Sequence, residues 1–126
     1  MNVVDSSGWL SYFANDGNAA VFAKPIEQVQ ALVVPAITIA EVFKRVLQQR
    51  DEHAALQAVA HMNQGAVIAL DAGLAMQAGK LEHALKLPLA DSIILATAQR
   101  HEALLWTQDE DFKLLNLPGI RYIPTR

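Results

Sequence analysis

Apolar residues fall into two kinds of stretch along the chain. Some are short continuous runs that stop at an acid, a proline or a hydroxyl; others recur every three or four positions. The first kind reads as strands buried on both faces of a parallel sheet, the second as amphipathic helices. Met1 to Ser7, MNVVDSS, is a strand that halts at Asp5 and turns into a helix capped by Ser6 or Ser7. That helix carries Trp9, Leu10, Tyr12 and Phe13, and Asn15-Asp16-Gly17 ends it. Ala19 to Ala23 predicts a short helix broken by Pro25, which opens another turn through Ile26 and Val29. Leu32 to Val34 is a strand closed by Pro35, and Thr38 to Gln49 a helix with Ile39, Val42, Phe43, Val46 and Leu47 on one face. Asp51 or Glu52 opens a further helix that ends near Gly65, and Val67 to Leu70 is a third strand.

In the second half, Asp71 caps a long helix through Leu74, Met76, Leu81 and Leu85. Pro88 separates it from a helix over Ala90 to His101 that is apolar nearly all round and therefore buried. Leu104 to Trp106 is a strand, Asp109 to Leu115 a helical turn, and Ile120 to Ile123 a last strand. No repeat, linker or low-complexity segment interrupts this alternation. It predicts an α/β fold: a single domain over residues 1–126, three layers α/β/α, with a mostly parallel sheet of four to five strands.

Composition narrows the picture without changing it. Aliphatic residues dominate the hydrophobic 52% of the chain, and aromatics make up only 6% of all residues, as in helices packed on a parallel sheet. With no cysteine, disulfide and thiolate chemistry is excluded and a reducing compartment is permitted. Asp5 interrupts any signal-peptide core and no apolar run approaches a membrane span, so the expectation is a cytoplasmic protein without a membrane partner. A net charge of −3 argues against a generic nucleic-acid glue, yet setting aside Asp5, Glu41, Asp91, Asp109 and Asp111 turns it to +2. Charge alone leaves a phosphate backbone open as a partner.

The acids carry the candidate chemistry. Each has a local explanation: Asp5 caps the first helix, Thr38-x-x-Glu41 forms a capping box, Asp91 favours a helix dipole, and Asp109 or Asp111 caps the turn after the fourth strand. Taken together, four carboxylates at one sheet edge would repel and raise one another's pKa unless a cation lies between them. Hard oxygen ligands suit Mg²⁺ or Mn²⁺, and such ions assist phosphodiester cleavage by water.

The order V-V-D-S-S, then T-x-x-E-V, then L-P-L-A-D-S-I-I-L-A-T-A, then T-x-D-x-D-F resembles the PIN domain, and more narrowly the VapC-type toxins of VapBC toxin-antitoxin pairs. The resemblance runs from Met1 to about Ile123. It implies an endoribonuclease using Mg²⁺ or Mn²⁺ on structured RNA, restrained by a VapB-like antitoxin, as a homodimer or a toxin-antitoxin hetero-oligomer. It carries the catalytic acids over to Asp5, Glu41, Asp91 and Asp109, with Asp5, Asp91 and Asp109 as metal ligands and Glu41 orienting or activating water. Ser6, Thr107 and Asp111 fall at supporting positions beside them. Under this resemblance, Trp9, Tyr12 and Phe13 line either the core or an apolar groove for the antitoxin.

Rival readings fit less well. A haloacid-dehalogenase-type phosphatase needs an acid two residues after Asp5, where Ser7 stands; a receiver domain needs its acid at the end of a middle strand, whereas Asp51 follows a helix. A catalytically silent binding module of the same fold is the alternative, separated from the enzyme by metal dependence. His53 and His61 are about 12 Å apart along a helix, too far to share a zinc ion, and His83 and His101 have no ligand partner nearby. Lys44, Arg45, Arg50, Lys80 and Lys86 form solvated helix faces or guide phosphates.

Overall fold

In the computed structural model, which describes residues 1–125, the first strand, β1 (Asn2–Val4), lies at the centre of a five-stranded sheet. The order is β3-β2-β1-β4-β5, with β2 at Leu32–Pro35, β3 at Ala66–Ile68, β4 at Leu104–Thr107 and β5 at Ile120–Tyr122. Every neighbouring pair is parallel. Helices α1 (Ser6–Ala14) and α2 (Ala19–Glu27) lead from β1 to β2, and α3 (Ala36–Gln49) and α4 (Glu52–Met62) from β2 to β3. Helices α5 (Ala72–Leu85) and α6 (Leu89–Arg100) then carry the chain back past β2 and β1 to β4.

Reversing the direction of travel moves the helices to the opposite face of the sheet, because parallel crossovers are right-handed. The core divides accordingly. Val4, Val34 and Trp106 pack with Trp9, Phe22, Val42 and Met62 from α1 to α4, while Val3, Val33 and Leu105 pack with Ile94, Leu95 and Ala98 of α6. Adjacent residues of one strand serve opposite layers, the period of two that a sheet imposes. Leu74 and Ala78 of α5 close over Ile93 and Ala96 of α6. From Asp91 to Ala98 every residue of α6 is buried, as its nearly all-round apolar character predicts.

Several boundaries differ from the sequence expectation. Ser6 and Ser7 are the first helical residues of α1, and the cap is Asp5, whose Oδ1 accepts from the Gly8 amide at 3.2 Å. Pro25 does not break α2 but lies within it. With Phe22 and Ile26 it forms the buried face, and burial outweighs the one backbone bond proline removes. Pro35 belongs to β2, and α3 starts directly after it, two residues before Thr38. Thr38 Oγ1 donates to the Pro35 carbonyl at 2.7 Å, and Glu41 is the sixth residue of its helix, so no capping box forms. Strand β3 ends at Ile68, leaving Leu70 outside it, and the turn after β4 is a single 3₁₀ turn, Glu110–Phe112. Among the described residues no helix is long and apolar enough to cross a membrane.

Gly8 sets how close α1 comes to the sheet. A Cβ there would lie 2.6 Å from Val4 Cγ1 and 2.7 Å from the Phe22 ring. Only a residue without a side chain lets α1 leave β1 at this angle while α2 packs over it.

Candidate functional site

From β1 the chain steps outward to β2 and β3, and from α6 it returns to β4 on the other side of β1. The gap between β1 and β4 is therefore the point where strand order reverses, and beyond the carboxyl ends of those strands open α/β sheets bind ligands. Val4 pairs with Trp106, which puts Asp5 opposite Thr107 at that edge. The Asp5 amide continues the ladder, donating to the Trp106 carbonyl at 3.1 Å.

Asp5 is 2% exposed and held by three donors. Ser7 Oγ at 2.7 Å and the Gly8 amide share Oδ1, while Thr107 Oγ1 donates to Oδ2 at 2.7 Å. A carboxylate oxygen has two lone pairs, so Oδ1 is saturated and Oδ2 keeps one free. Burial pushes the Asp5 carboxyl up to about 6, against the pull of these hydrogen bonds. Thr107 Oγ1 also accepts from the Asp109 amide at 3.0 Å, so one hydroxyl positions two of the acids.

Asp91 enters from the opposite layer as the third residue of α6, buried at the helix N-terminus. Asp109 leaves the end of β4, and its Oδ1 accepts from the Asp111 amide at 2.9 Å, capping the 3₁₀ turn. Carboxylate oxygens of Asp91, Asp109 and Asp111 all lie within 4.8 Å of one another. Asp91 is pushed up to about 8, first by burial and then by the negative charges of Asp109, Asp111 and Asp5. Asp109 is raised as well, by burial and by its acidic neighbours. The capping roles expected of Asp5 and Asp109 are real, and the same carboxylates face the cluster.

Glu41 stands apart from this group. Ser6 Oγ donates to Glu41 Oε1, joining α3 to the first turn of α1 next to Asp5. Ser6, Ser7, Leu10, Glu41, Lys44, Arg45 and Gln48 line a cleft of about 260 Å³ there. Of the expected residues, Asp91, Asp109 and Asp111 come together, Asp5 joins them through Thr107 and charge, and Glu41 is not brought into the cluster but bonds Ser6, the residue after Asp5.

Three polar residues of the site are not singled out by the sequence patterns. Ser7 bonds Asp5, Gln108 Nε2 donates to the Ser7 carbonyl at 3.4 Å, and Asn18 Nδ2 donates to Gln108 Oε1 at 3.0 Å and to the Pro124 carbonyl at 2.8 Å. The two-residue spacing of Asp5 and Ser7 is a local signal. Asn18 meets its partners 90 and 106 residues away, and nothing near it in sequence announces that.

The donor set fits a hard divalent cation. Three carboxylates converge, Asp91 and Asp109 hold their protons above the ordinary carboxylate range through burial and then through the charge of their acidic neighbours, and among the described residues the single salt bridge, Arg100 to Asp71, is not part of the cluster. Oxygen-only coordination of this kind suits Mg²⁺ or Mn²⁺.

A wider groove, about 450 Å³, lies elsewhere, between α1, α3 and α4, where Leu10, Phe13, Val46, Arg50 and His61 are among its walls. Trp9 is core, whereas Phe13 contributes to this groove. His61 stands edge-on to Trp9, Tyr12 and Phe13 at ring distances of 5.4 to 6.2 Å, a packing role.

The family described as PIN domain matches residues 3–116. No curated protein matches the chain. Among solved structures, a toxin-antitoxin complex from Klebsiella pneumoniae is 24% identical, with 96% of each chain covered and a TM-score of 0.78. The sarcin-ricin loop cleaving toxin VapC20 of Mycobacterium tuberculosis is 16% identical, with 96% of this chain and 99% of that one covered, again at 0.78. VapBC2 from Rickettsia felis, bound to a DNA fragment from its promoter, is 14% identical over 99% and 98% of the two chains, at 0.73. At these identities the likeness is one of fold.

Proposed function

Because the chain belongs to the PIN domain family, we propose that it is a divalent-metal-dependent endoribonuclease, the toxin of a toxin-antitoxin pair. The observation that carries this reading is the convergence of Asp91, Asp109 and Asp111 beside Asp5 at the switch point of the sheet. The toxin and toxin-antitoxin structures of similar fold support it, and they motivate a VapB-like antitoxin as partner.

Asp91, Asp109 and Asp111, with the free lone pair of Asp5 Oδ2, are the residues that would hold Mg²⁺ or Mn²⁺. When bound, such an ion supplies positive charge against a phosphodiester and against the oxygen that leaves it. In this reading Glu41, oriented by Ser6, would direct a water and take its proton as the water oxygen bonds to phosphorus and the phosphorus–oxygen bond of the departing strand breaks. Thr107, Ser7 and the Gly8 amide keep Asp5 in one orientation throughout.

The test is incubation of the purified, antitoxin-free protein with end-labelled total RNA in Mg²⁺, in Mn²⁺ and in chelator, alongside Asp5→Asn and Asp91→Asn. Discrete fragments that require metal and vanish in both variants support the reading. Intact RNA in every lane, or equal cutting by the variants, points to a catalytically silent module of the same fold.

A further inference from the structure

Helix α3 presents Glu41, Lys44, Arg45 and Gln48 at spacings of three, four and seven, so all four share the face that walls the cleft against Ser6, Ser7 and Leu10. Glu41 precedes Arg45 by four residues, the orientation in which a glutamate and an arginine pair best on a helix. They do not pair. The carboxylate of Glu41 is turned to Ser6, and among the described residues the single salt bridge is the distant Arg100–Asp71. Lys44 and Arg45 are thus two exposed cations beside an acidic site, with the nearest acid on their own face engaged by a hydroxyl.

Arg45 also lines a second cleft, of about 350 Å³, with Ser7, Ser11, Gln49 and Gln108. Asp16 borders that cleft and does not pair with Arg45 either. Ser7 belongs to both clefts and also donates to Asp5. The two clefts therefore share Ser7, Leu10 and Arg45, and Ser7, bonded to Asp5, links them to the acidic site. Arginine's planar fork matches a phosphate, and lysine adds a point charge.

Resting on the ribonuclease reading, we infer that Lys44 and Arg45 form a clamp for a backbone phosphate of the RNA next to the one being cut, setting the register of the strand across the acids. Gln48 and Gln49 flank this clamp as neutral hydrogen-bonding groups. The side chain of Ser6, by holding Glu41, keeps that carboxylate out of an ion pair with Arg45 and leaves the guanidinium fork free for phosphate. The clamp carries no base readout; it positions the chain, as phosphate-binding groups do.

The experiment measures binding of a short single-stranded oligoribonucleotide of mixed sequence, by fluorescence anisotropy across a salt series in Mg²⁺, to the Asp91→Asn protein with and without Lys44→Ala and Arg45→Ala. A matched control removes two cations from α5 and its C-terminal cap, Lys80→Ala and Lys86→Ala. The clamp pair is expected to weaken binding about tenfold and to flatten the dependence of log K on log salt by about 0.7 for each phosphate no longer neutralised, with the control near the parent. In the catalytically intact chain the same pair should raise KM for the RNA. Thermal melting of each variant, with both positions exposed, should match its parent. An unchanged salt slope, or an equal loss in the control, overturns the clamp while cutting by the intact chain leaves the ribonuclease reading standing. Absence of RNA binding by the parent overturns the clamp, and absence of cutting by the intact chain separately removes the reading beneath it.

Discussion

Thr107 Oγ1 donates to Asp5 Oδ2 at 2.7 Å across 102 residues of chain, tying the end of β4 to the end of β1 at the reversal of the sheet. The same oxygen accepts from the Asp109 amide, so replacing it disturbs two acids at once. Thr107→Val keeps the shape and removes the hydroxyl. RNA cleavage should fall by ~10- to 100-fold, and the protein should lose about 1–3 kcal/mol from the buried groups left without partners. Thr107→Ser should retain most of both. Cleavage rates and urea denaturation of the two variants check this.

The acids make the metal-free protein sensitive to alkali. A carboxyl raised on folding binds protons in the native state that the unfolded chain has already released, so stability falls as pH rises through the gap. For Asp5 that gap runs from 3.8 to about 6, and for Asp91 from 3.8 to about 8. Melting temperature in chelator should therefore decline between pH 4 and 8, and Asp91→Asn should flatten the upper part of the decline. Because binding a cation requires ionised carboxylates, the stabilisation given by Mg²⁺ should grow over the same interval. A melting series with and without Mg²⁺ measures both.

Ser6 acts on Glu41 rather than on the acidic cluster. Ser6→Ala leaves the Glu41 carboxylate without the donor that orients it, and kcat should drop about tenfold with KM changed less. Ser6→Thr, which restores a hydroxyl, should recover activity. Steady-state cleavage of one defined RNA by the two variants distinguishes orientation from bulk.

Gly8 tests the packing that brings α1 to the sheet. With its new carbon 2.6 Å from Val4 Cγ1, Gly8→Ala should cost about 1–3 kcal/mol despite alanine's better helix propensity. A rise in melting temperature would show that α1 can move away from β1.

Asp71 caps α5 through the Leu74 amide and holds Arg100 of α6 in two hydrogen bonds. Asp71→Ala removes the cap and the pair together, Arg100→Ala the pair alone. The first should lower the melting temperature more than the second, and high salt should narrow only the part due to the pair.

Local pattern determined the elements. Runs such as Leu32-Val33-Val34 and the all-round apolar α6 admit few other readings, because burying both faces of a strand or all sides of a helix demands that composition. Asp5 and Asp109 could likewise be placed at strand ends from their neighbours alone. Boundaries beside proline are not set locally: Pro25 stays within α2 and Pro35 within β2 because burial against distant residues outweighs what proline denies its own backbone.

Tertiary structure alone decided which acids meet. Asp91 reaches Asp109 and Asp111 because α6 crosses to the opposite layer before β4 returns beside β1, a consequence of crossover handedness and sheet order that no local spacing encodes. Glu41, which its own segment would fold back as a cap or pair with Arg45, is claimed instead by Ser6 from 35 positions away. Propensity acts over a turn or two of chain, whereas hydrogen bonds and charge act through whatever space the packed sheet brings together.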